Sequence, residues 1–229
     1  MSRRRWWVVL LPLLPLLALW LASCASSQPP PAPVPSEGAS QEAPVMAEER
    51  DLVYATVDGK ELQLDLVYQK NARNKLPLVV FIHGSEHSFY MVNRITFYYA
   101  AQEAAKRGYA AASIAYRTTA EKADGQSKYA FPAQVNDVKC AIRFLKANAA
   151  RYGIDTSRVA AVGWSAGGYL ALMLGLTDPS CELEGDCGDP SISSRVNAVV
   201  NLAGEADAAL EYRISPSYYK LFLGGSPEN

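Results

Sequence analysis

The run VAAVGWSAGGYLALML, Val159–Leu174, constrains this chain more than any other stretch. Two apolar segments meet at a knot of small residues, Gly163-Trp164-Ser165-Ala166-Gly167-Gly168, with a polar serine at its centre. RVAAVGW reads as a buried strand and AGGYLALMLGL as a helix, so the knot is a strand-to-helix turn with the pattern G-x-S-x-G. So tight a turn leaves no room for side chains at Gly163 and Gly167, and Gly168 lets the helix lie close on a sheet. Ser165 is predicted to hold a strained backbone that pushes its hydroxyl into the open. It sits at a helix N-terminus, where backbone N–H groups face developing negative charge. The plain alternative is a serine that caps its helix, but a cap does not require three glycines. The knot lacks the lysine of a P-loop and is not G-x-G-x-x-G, so a phosphate loop does not fit.

The surrounding elements alternate. DLVYATV and LQLDLVY flank Asp58-Gly59, a turn dipeptide that predicts an antiparallel hairpin. Leu62, Leu64, Leu66 and Tyr68 alternate as in a half-buried strand. LVVFI (78–82) is a continuous apolar run, as in a strand covered on both faces. VNRITFYYAAQEAAKRG reads as a helix whose face is Ile95, Tyr98, Tyr99 and Gln102 or Ala105, ended by Gly108. YAAASIAY is the next strand. Pro132 marks the start of a helix with Val135, Val138, Ile142, Leu145 and Ala149 at amphipathic spacing, stopped by Gly153. RVNAVVNLA (195–203) is the last strand, and Ser215-Pro216 opens a short helix ended by Gly224 and Gly225. A hairpin followed by strand–helix alternation predicts an α/β fold, a mostly parallel sheet with helices on both faces. Ligands of such sheets bind beyond the carboxyl ends of the strands, where Ser165 falls.

FIHGS after one strand, AYR after the next, DVKCAIRFLKANAARYGIDTSRVAAVGWSAGG and VVNLAG occur in order. This set resembles the α/β-hydrolase superfamily, in the group of bacterial esterases and lipases related to hormone-sensitive lipase and the feruloyl-esterase-like enzymes. The resemblance runs from about Leu52 onward. It implies that Ser165 attacks the carbonyl of a small-molecule ester and forms an acyl-enzyme. It further implies an oxyanion hole from the N–H of Ala166 and from the loop at Gly84 and Ser85. Ser85 departs from the family's second glycine, and the Glu86 charge must point away from an anion site. His83 matches a loop histidine of structural role, and Tyr116-Arg117 matches a family pair, also read as structural. No cofactor or metal is implied. Trp164, Tyr169, Phe89, Tyr90, Tyr129 and Phe131 are candidates for an acyl pocket, with plain packing as the alternative. Asp137 and Arg143 are read as belonging to solvated or buttressing faces. An amidase or peptidase on the same framework is a near rival.

At the N-terminus, Arg3, Arg4 and Arg5 precede WWVVLLPLLPLLALWLASC, a basic patch, an apolar stretch and small residues. This is a secretory signal. Pro12 and Pro15 argue against a plain spanning helix. Leu21-Ala22-Ser23-Cys24 resembles the bacterial lipobox, which implies cleavage before Cys24 and its acylation, an anchor of several chains. The alternative is a generic signal or anchor with an accidental cysteine. Residues 24–47 are rich in proline, serine and alanine and read as a tether. The organisation expected is therefore 1–23 signal, 24–47 tether and 48–229 hydrolase domain. It sits in the bacterial cell envelope, outside the cytoplasm, and meets a membrane through the lipid. The net charge of −1 gives no reason to expect a nucleic-acid partner. An oxidising compartment would let Cys181 and Cys187, flanking ELEGD, pair as a disulfide, with two free thiols as the alternative. Cys140, in a helical pattern, is expected buried and reduced.

A serine hydroxyl needs a base within reach. The chain has two histidines, His83 and His87, and both precede Ser165. The superfamily order is serine, acid, histidine. Ser226-Pro227-Glu228 reads as the start of another helix. The resemblance thus implies that the last strands and helices, with the acid and histidine, are missing from this sequence. The expectation is a truncated esterase, inactive as this chain, and the alternative is a non-catalytic, membrane-anchored binding lipoprotein.

Overall fold

The computed structural model describes residues 43–84, 93–119 and 128–226. Its sheet opens with β1 (Met46–Val57) and β2 (Lys60–Gln69), an antiparallel hairpin closed at Asp58-Gly59. Both turn residues have positive φ, 52° and 74°, the conformation that favours this dipeptide and matches strand twist. Then follow β3 (Leu76–Ile82), α1 (Arg94–Lys106), β4 (Ala110–Ile114), α2 (Ala133–Ala147), the single turn α3 (Ala149–Tyr152), β5 (Ile154–Trp164) and α4 (Ala166–Leu176). A 3-10 turn (Pro179–Cys181), β6 (Ala198–Leu202), α5 (Ala208–Ile214) and α6 (Pro216–Leu223) complete the order. The six strands lie as β1-β2-β4-β3-β5-β6. β1, β2 and β4 pair antiparallel, whereas β4, β3, β5 and β6 run parallel.

Helices cover both faces, as expected of the α/β class. On one face, Leu62, Leu64, Leu66, Val80, Ile82 and Ile114 pack with Val138, Ile142 and Leu145 of α2 and Leu170 and Leu174 of α4. On the other, Val67, Val79 and Ala111 meet Tyr98, Ala101 and Ala105 of α1. This second layer corrects two sequence expectations. β2 is not half-buried, because α1 also covers Val67 and Asp65. The buried stripe of α1 is Tyr98, Ala101 and Ala105, leaving Ile95 and Tyr99 at 54% and 69% exposure. Alanines are short enough to bring the helix close to the sheet, so they take the inner face and the larger residues turn out.

Asp65 carries a charge into that layer and is fully buried. Arg50 reaches it at 3.0 Å, Arg94 at the head of α1 pairs with it, and the Asp51 N–H donates to it at 3.0 Å. Asp51 takes a φ of 54° at a bulge in β1. β1 begins at Met46, inside the stretch expected as tether, and Lys70 N–H closes the hairpin base onto Val45. β6 is shorter than expected, and α5 was not foreseen. The Asp207 side chain caps α5 by accepting from Leu210 N–H.

α2 is covered nearly all round. Its apolar face is buried as expected, and so are Asp137, Lys139, Cys140 and Arg143. The loop 178–195 closes over its outer side. There Arg143 donates to the carbonyls of Glu184 and Cys187 and to the Glu184 carboxylate, which also takes Lys139 at 2.6 Å. These bonds bring Cys187 onto the helix, where it is disulfide-bonded to Cys140 across 47 residues. The expected Cys181–Cys187 pairing is therefore corrected: Cys181 is free and exposed, and Cys140 is not reduced. The residues near Cys24 lie outside the described part. Among the described residues no helix is long and apolar enough to cross a membrane.

Candidate active site

Ser165 stands where β5 ends and α4 begins, at the carboxyl edge of the parallel strands. Its φ of 54° and ψ of −126° belong to a region that non-glycine residues avoid, at a cost of about 1–3 kcal/mol. Its N–H donates to the Leu202 carbonyl at 2.9 Å, and its own carbonyl accepts from Gly168 and Tyr169. The hydroxyl makes no capping bond to α4. The helix-cap alternative is thereby set aside: the strain and the glycines do not serve a cap.

The glycines are needed for the reason the turn suggested. A Cβ on Gly163 would lie 1.9 Å from the Gly167 carbonyl oxygen. One on Gly167 would meet the carbonyl oxygens of Ile82 and His83 at 2.2 and 2.4 Å, and one on Gly168 would meet Asn201 Oδ1 at 2.2 Å. Sequence reasoning missed a fourth support. Asn201, at the end of β6, accepts from Gly204 N–H at 2.7 Å and donates to the Gly204 carbonyl. The turn it ties lies against the Ser165 carbonyl, with a Cβ on Gly204 only 2.6 Å from that oxygen. The signal was in VVNLAG, whose asparagine precedes a glycine by three residues.

Gly84 lies beside the serine, and a Cβ on it would be 3.3 Å from Ser165 Cβ and 3.2 Å from the Trp164 carbonyl oxygen. Ala166 opens α4, so Gly84, Ser165 and Ala166 are brought together as expected. Ser85, Glu86, His87, Phe89 and Tyr90 lie outside the described residues. His83 is buried, its Nδ1 2.7 Å from the Gly84 carbonyl oxygen and its ring stacked on Tyr116 at 4.4 Å. Tyr116 donates to the His83 carbonyl at 2.8 Å. The next residue, Arg117, grips Asp137 of α2 with its N–H, Nε and Nη2 at 2.8–3.1 Å. Asp137 is thus a buttress, and its hydrogen bonds help hold the Arg117 guanidinium fully protonated.

On the α4 side a small cavity of ≈ 20 Å³ opens between Ala166, Tyr169, Glu205, Ala208, Tyr219 and Phe222. Burial, then the nearby Glu205, pushes the Tyr169 phenol up to about 12. Phe222 packs edge-on to Tyr169 and Tyr219 and is tilted against Phe131. Tyr129 instead lies under cations, with Arg117 5.4 Å from its ring. Trp164 is exposed. Larger clefts of ≈ 650 and ≈ 520 Å³ lie along the disulfide loop and beside Asp58 and Arg117, and Ser165 lines neither. Among the described residues no cluster of His, Cys, Asp or Glu could hold a metal.

The family model BD-FAE matches residues 64–227, most of the chain and the whole of this site. The chain belongs to the BD-FAE family. This BD-FAE chain is 30% identical over 145 residues to Esterase LipC of Mycobacterium tuberculosis, covering 63% of the chain and 34% of that protein. Among solved structures it is similar to a bifunctional GH43-CE protein of Bacteroides eggerthii. The TM-score there is 0.63 at 33% identity, over 79% of this chain and 26% of that one. It is also similar to Thermogutta terrifontis esterase 2, solved as the form phosphoramylated by tabun. That match has a TM-score of 0.61 at 25% identity, over 78% of this chain and 62% of that one. The BD-FAE chain thus spans about a third of LipC and less than two thirds of esterase 2. Its fold and kin place it in the esterase group of the α/β hydrolases, as the motifs implied.

Proposed function

We propose that the chain is a serine carboxylic-ester hydrolase working through an acyl-enzyme on Ser165. The observation that carries this reading is the Ser165 backbone, strained at φ 54° with a hydroxyl not spent on capping. In the proposed step Oγ bonds to the ester carbonyl carbon while a base takes its proton. The carbonyl π pair moves to oxygen, where N–H groups of Ala166, Gly84 and Ser85 meet the charge. Collapse re-forms the carbonyl and expels the alcohol, which takes the proton. Water then repeats the sequence on the acyl-enzyme and frees the acid.

The base is the weak point of the 229 residues. Their two histidines precede Ser165, and the Nδ1 of His83 is engaged with the Gly84 carbonyl. We therefore expect residues 1–229 alone to hydrolyse p-nitrophenyl acetate slowly and to be accelerated by added imidazole. A positioned base contributes about 10²–10⁴-fold, and free imidazole should recover a part of that. Ser165→Ala should remove the protein-dependent rate. An undiminished rate in Ser165→Ala would sink the nucleophile assignment. Faster turnover of the matched anilide would put amide chemistry in place of the ester. A second reading, a non-catalytic binding lipoprotein, predicts no Ser165-dependent rate with or without imidazole.

We further propose lipid anchoring at Cys24 in the bacterial cell envelope, supported by Arg3–Arg5, the apolar stretch and Leu21-Ala22-Ser23-Cys24. Mass spectrometry of the membrane fraction should find an acylated Cys24 at a new N-terminus, and an unmodified thiol rejects the proposal.

A further inference from the structure

We propose that Tyr116 is a positioning residue for the oxyanion hole, fixing the Gly84 peptide beside Ser165. The inference rests on the acyl-enzyme reading above. Tyr116 lies just beyond β4 and is held from the backbone outward. The N–H of Arg117 donates to Asp137 Oδ2 at 2.8 Å, and the Arg117 guanidinium grips the same carboxylate. All three side chains are buried.

The Tyr116 hydroxyl donates to the His83 carbonyl at 2.8 Å, and its ring stacks on the His83 imidazole. His83 Nδ1 lies 2.7 Å from the Gly84 carbonyl oxygen. A carbonyl only accepts, so Nδ1 carries the proton. The carbonyl oxygens of His83 and Gly84 are therefore both engaged. Tyr116 holds one directly, and His83, against which Tyr116 stacks, holds the other.

The His83–Gly84 peptide is trans, which sets its N–H opposite its C=O. Engaging the carbonyl with Tyr116 thus turns the Gly84 N–H away from Tyr116, while Gly84 itself lies against Ser165 Cβ. The carbonyl has little other freedom, because the His83 oxygen also packs at the Gly167 position. A peptide rotated here would misplace a donor where charge develops. Losing such a donor outright costs about 10²–10³ in rate, and a misaligned one should cost about 10-fold or more. The loss should fall on kcat and leave KM alone, because the donor acts on the transition state.

The test uses the full chain, ¹⁵N-labelled. In the wild type the His83 ring nitrogens should report the Nδ1–H tautomer, and an Nε2–H tautomer overturns the proposal. Tyr116→Phe should shift the Gly84 amide resonance and lower imidazole-supported kcat on p-nitrophenyl acetate about 10-fold or more. KM should stay within about two-fold, since uniform binding is untouched. An unmoved Gly84 amide, or a loss seen wholly in KM, overturns it. Ser165→Ala separates the two claims. If turnover does not depend on Ser165, the acyl-enzyme reading and the positioning role fall together. If turnover depends on Ser165 while the Gly84 amide ignores Tyr116→Phe, only the positioning role falls.

Discussion

Gly167 shows how narrowly the Ser165 elbow is built. Its missing Cβ is the clearance between α4 and the end of β3, because two backbone oxygens occupy the space. Backbone atoms cannot swing aside as a flexible side chain can, so Gly167→Ala must move the helix or the strand. Overpacking of this kind costs about 1–3 kcal/mol and at times more. Gly59 is the contrast. It has a φ of 74° but nothing within 4 Å of its Cβ position, so Gly59→Ala carries only the backbone strain, about 1–2 kcal/mol. Chemical denaturation should show the larger loss for Gly167→Ala, together with loss of the Ser165-dependent rate. Equal losses would mean that close packing at the elbow is not what demands the glycine. Ser165 was legible from its neighbours because the constraint is local: six consecutive residues define the turn. Tyr116 was legible only as one of a structural pair; its bond to His83 was not, because that partner lies 33 positions away.

The disulfide loop argues at the scale of an element. Closing a loop across 47 residues stabilises by about 4 kcal/mol in the chain-entropy view. Cys140→Ser should therefore lower stability by several kcal/mol and make it insensitive to reductant, whereas Cys181→Ser should leave the melting temperature unchanged. The opposite pattern would restore the short Cys181–Cys187 pairing expected from sequence. That expectation rested on proximity along the chain, and Arg143, Lys139 and Glu184 override it by drawing Cys187 across to α2. Glu184 adds a pH dependence. Burial works against its charge, but the bonds from Lys139 and Ser194 and the Lys139 and Arg143 charges outweigh it and hold the carboxyl below its usual range. A depressed folded value stabilises above the unfolded glutamate range, near about 4.3, and the gain is lost as pH falls through the folded value. Glu184→Gln should cost about 2–3 kcal/mol near neutral pH, less than a fully buried pair because Glu184 keeps 27% exposure. The variant and wild type should converge in acid, and an unchanged difference at low pH would remove Glu184 as the cause.

At the scale of the domain, the described residues cover the sheet unevenly. α1 lies over β2, β4 and β3, while register pairs Val162 with Val200 and Trp164 with Leu202 on the same face. Val200 and Leu202 keep 44% and 45% exposure at the β6 edge. Edge strands with apolar faces invite association. Val200→Thr should reduce light scattering at high concentration and change stability by less than about 0.5 kcal/mol, as exposed sites do. Val80→Thr, at a fully buried site, should cost about 1–3 kcal/mol by burying a hydroxyl. Similar costs at the two positions would show that the β6 face is covered in solution.

Residue order alone determined the α/β class, the hairpin at Asp58-Gly59, most element positions and the elbow at Ser165. Each is written in periodicity or turn chemistry within a dozen residues. Tertiary structure alone decided which face of α1 is buried, that β2 is covered twice, that Asp137 serves Arg117, and that Cys187 meets Cys140. Those outcomes depend on elements that meet across 20 to 50 residues of chain. There, packing distance and the need to pair buried charges choose among partners that local pattern leaves equivalent.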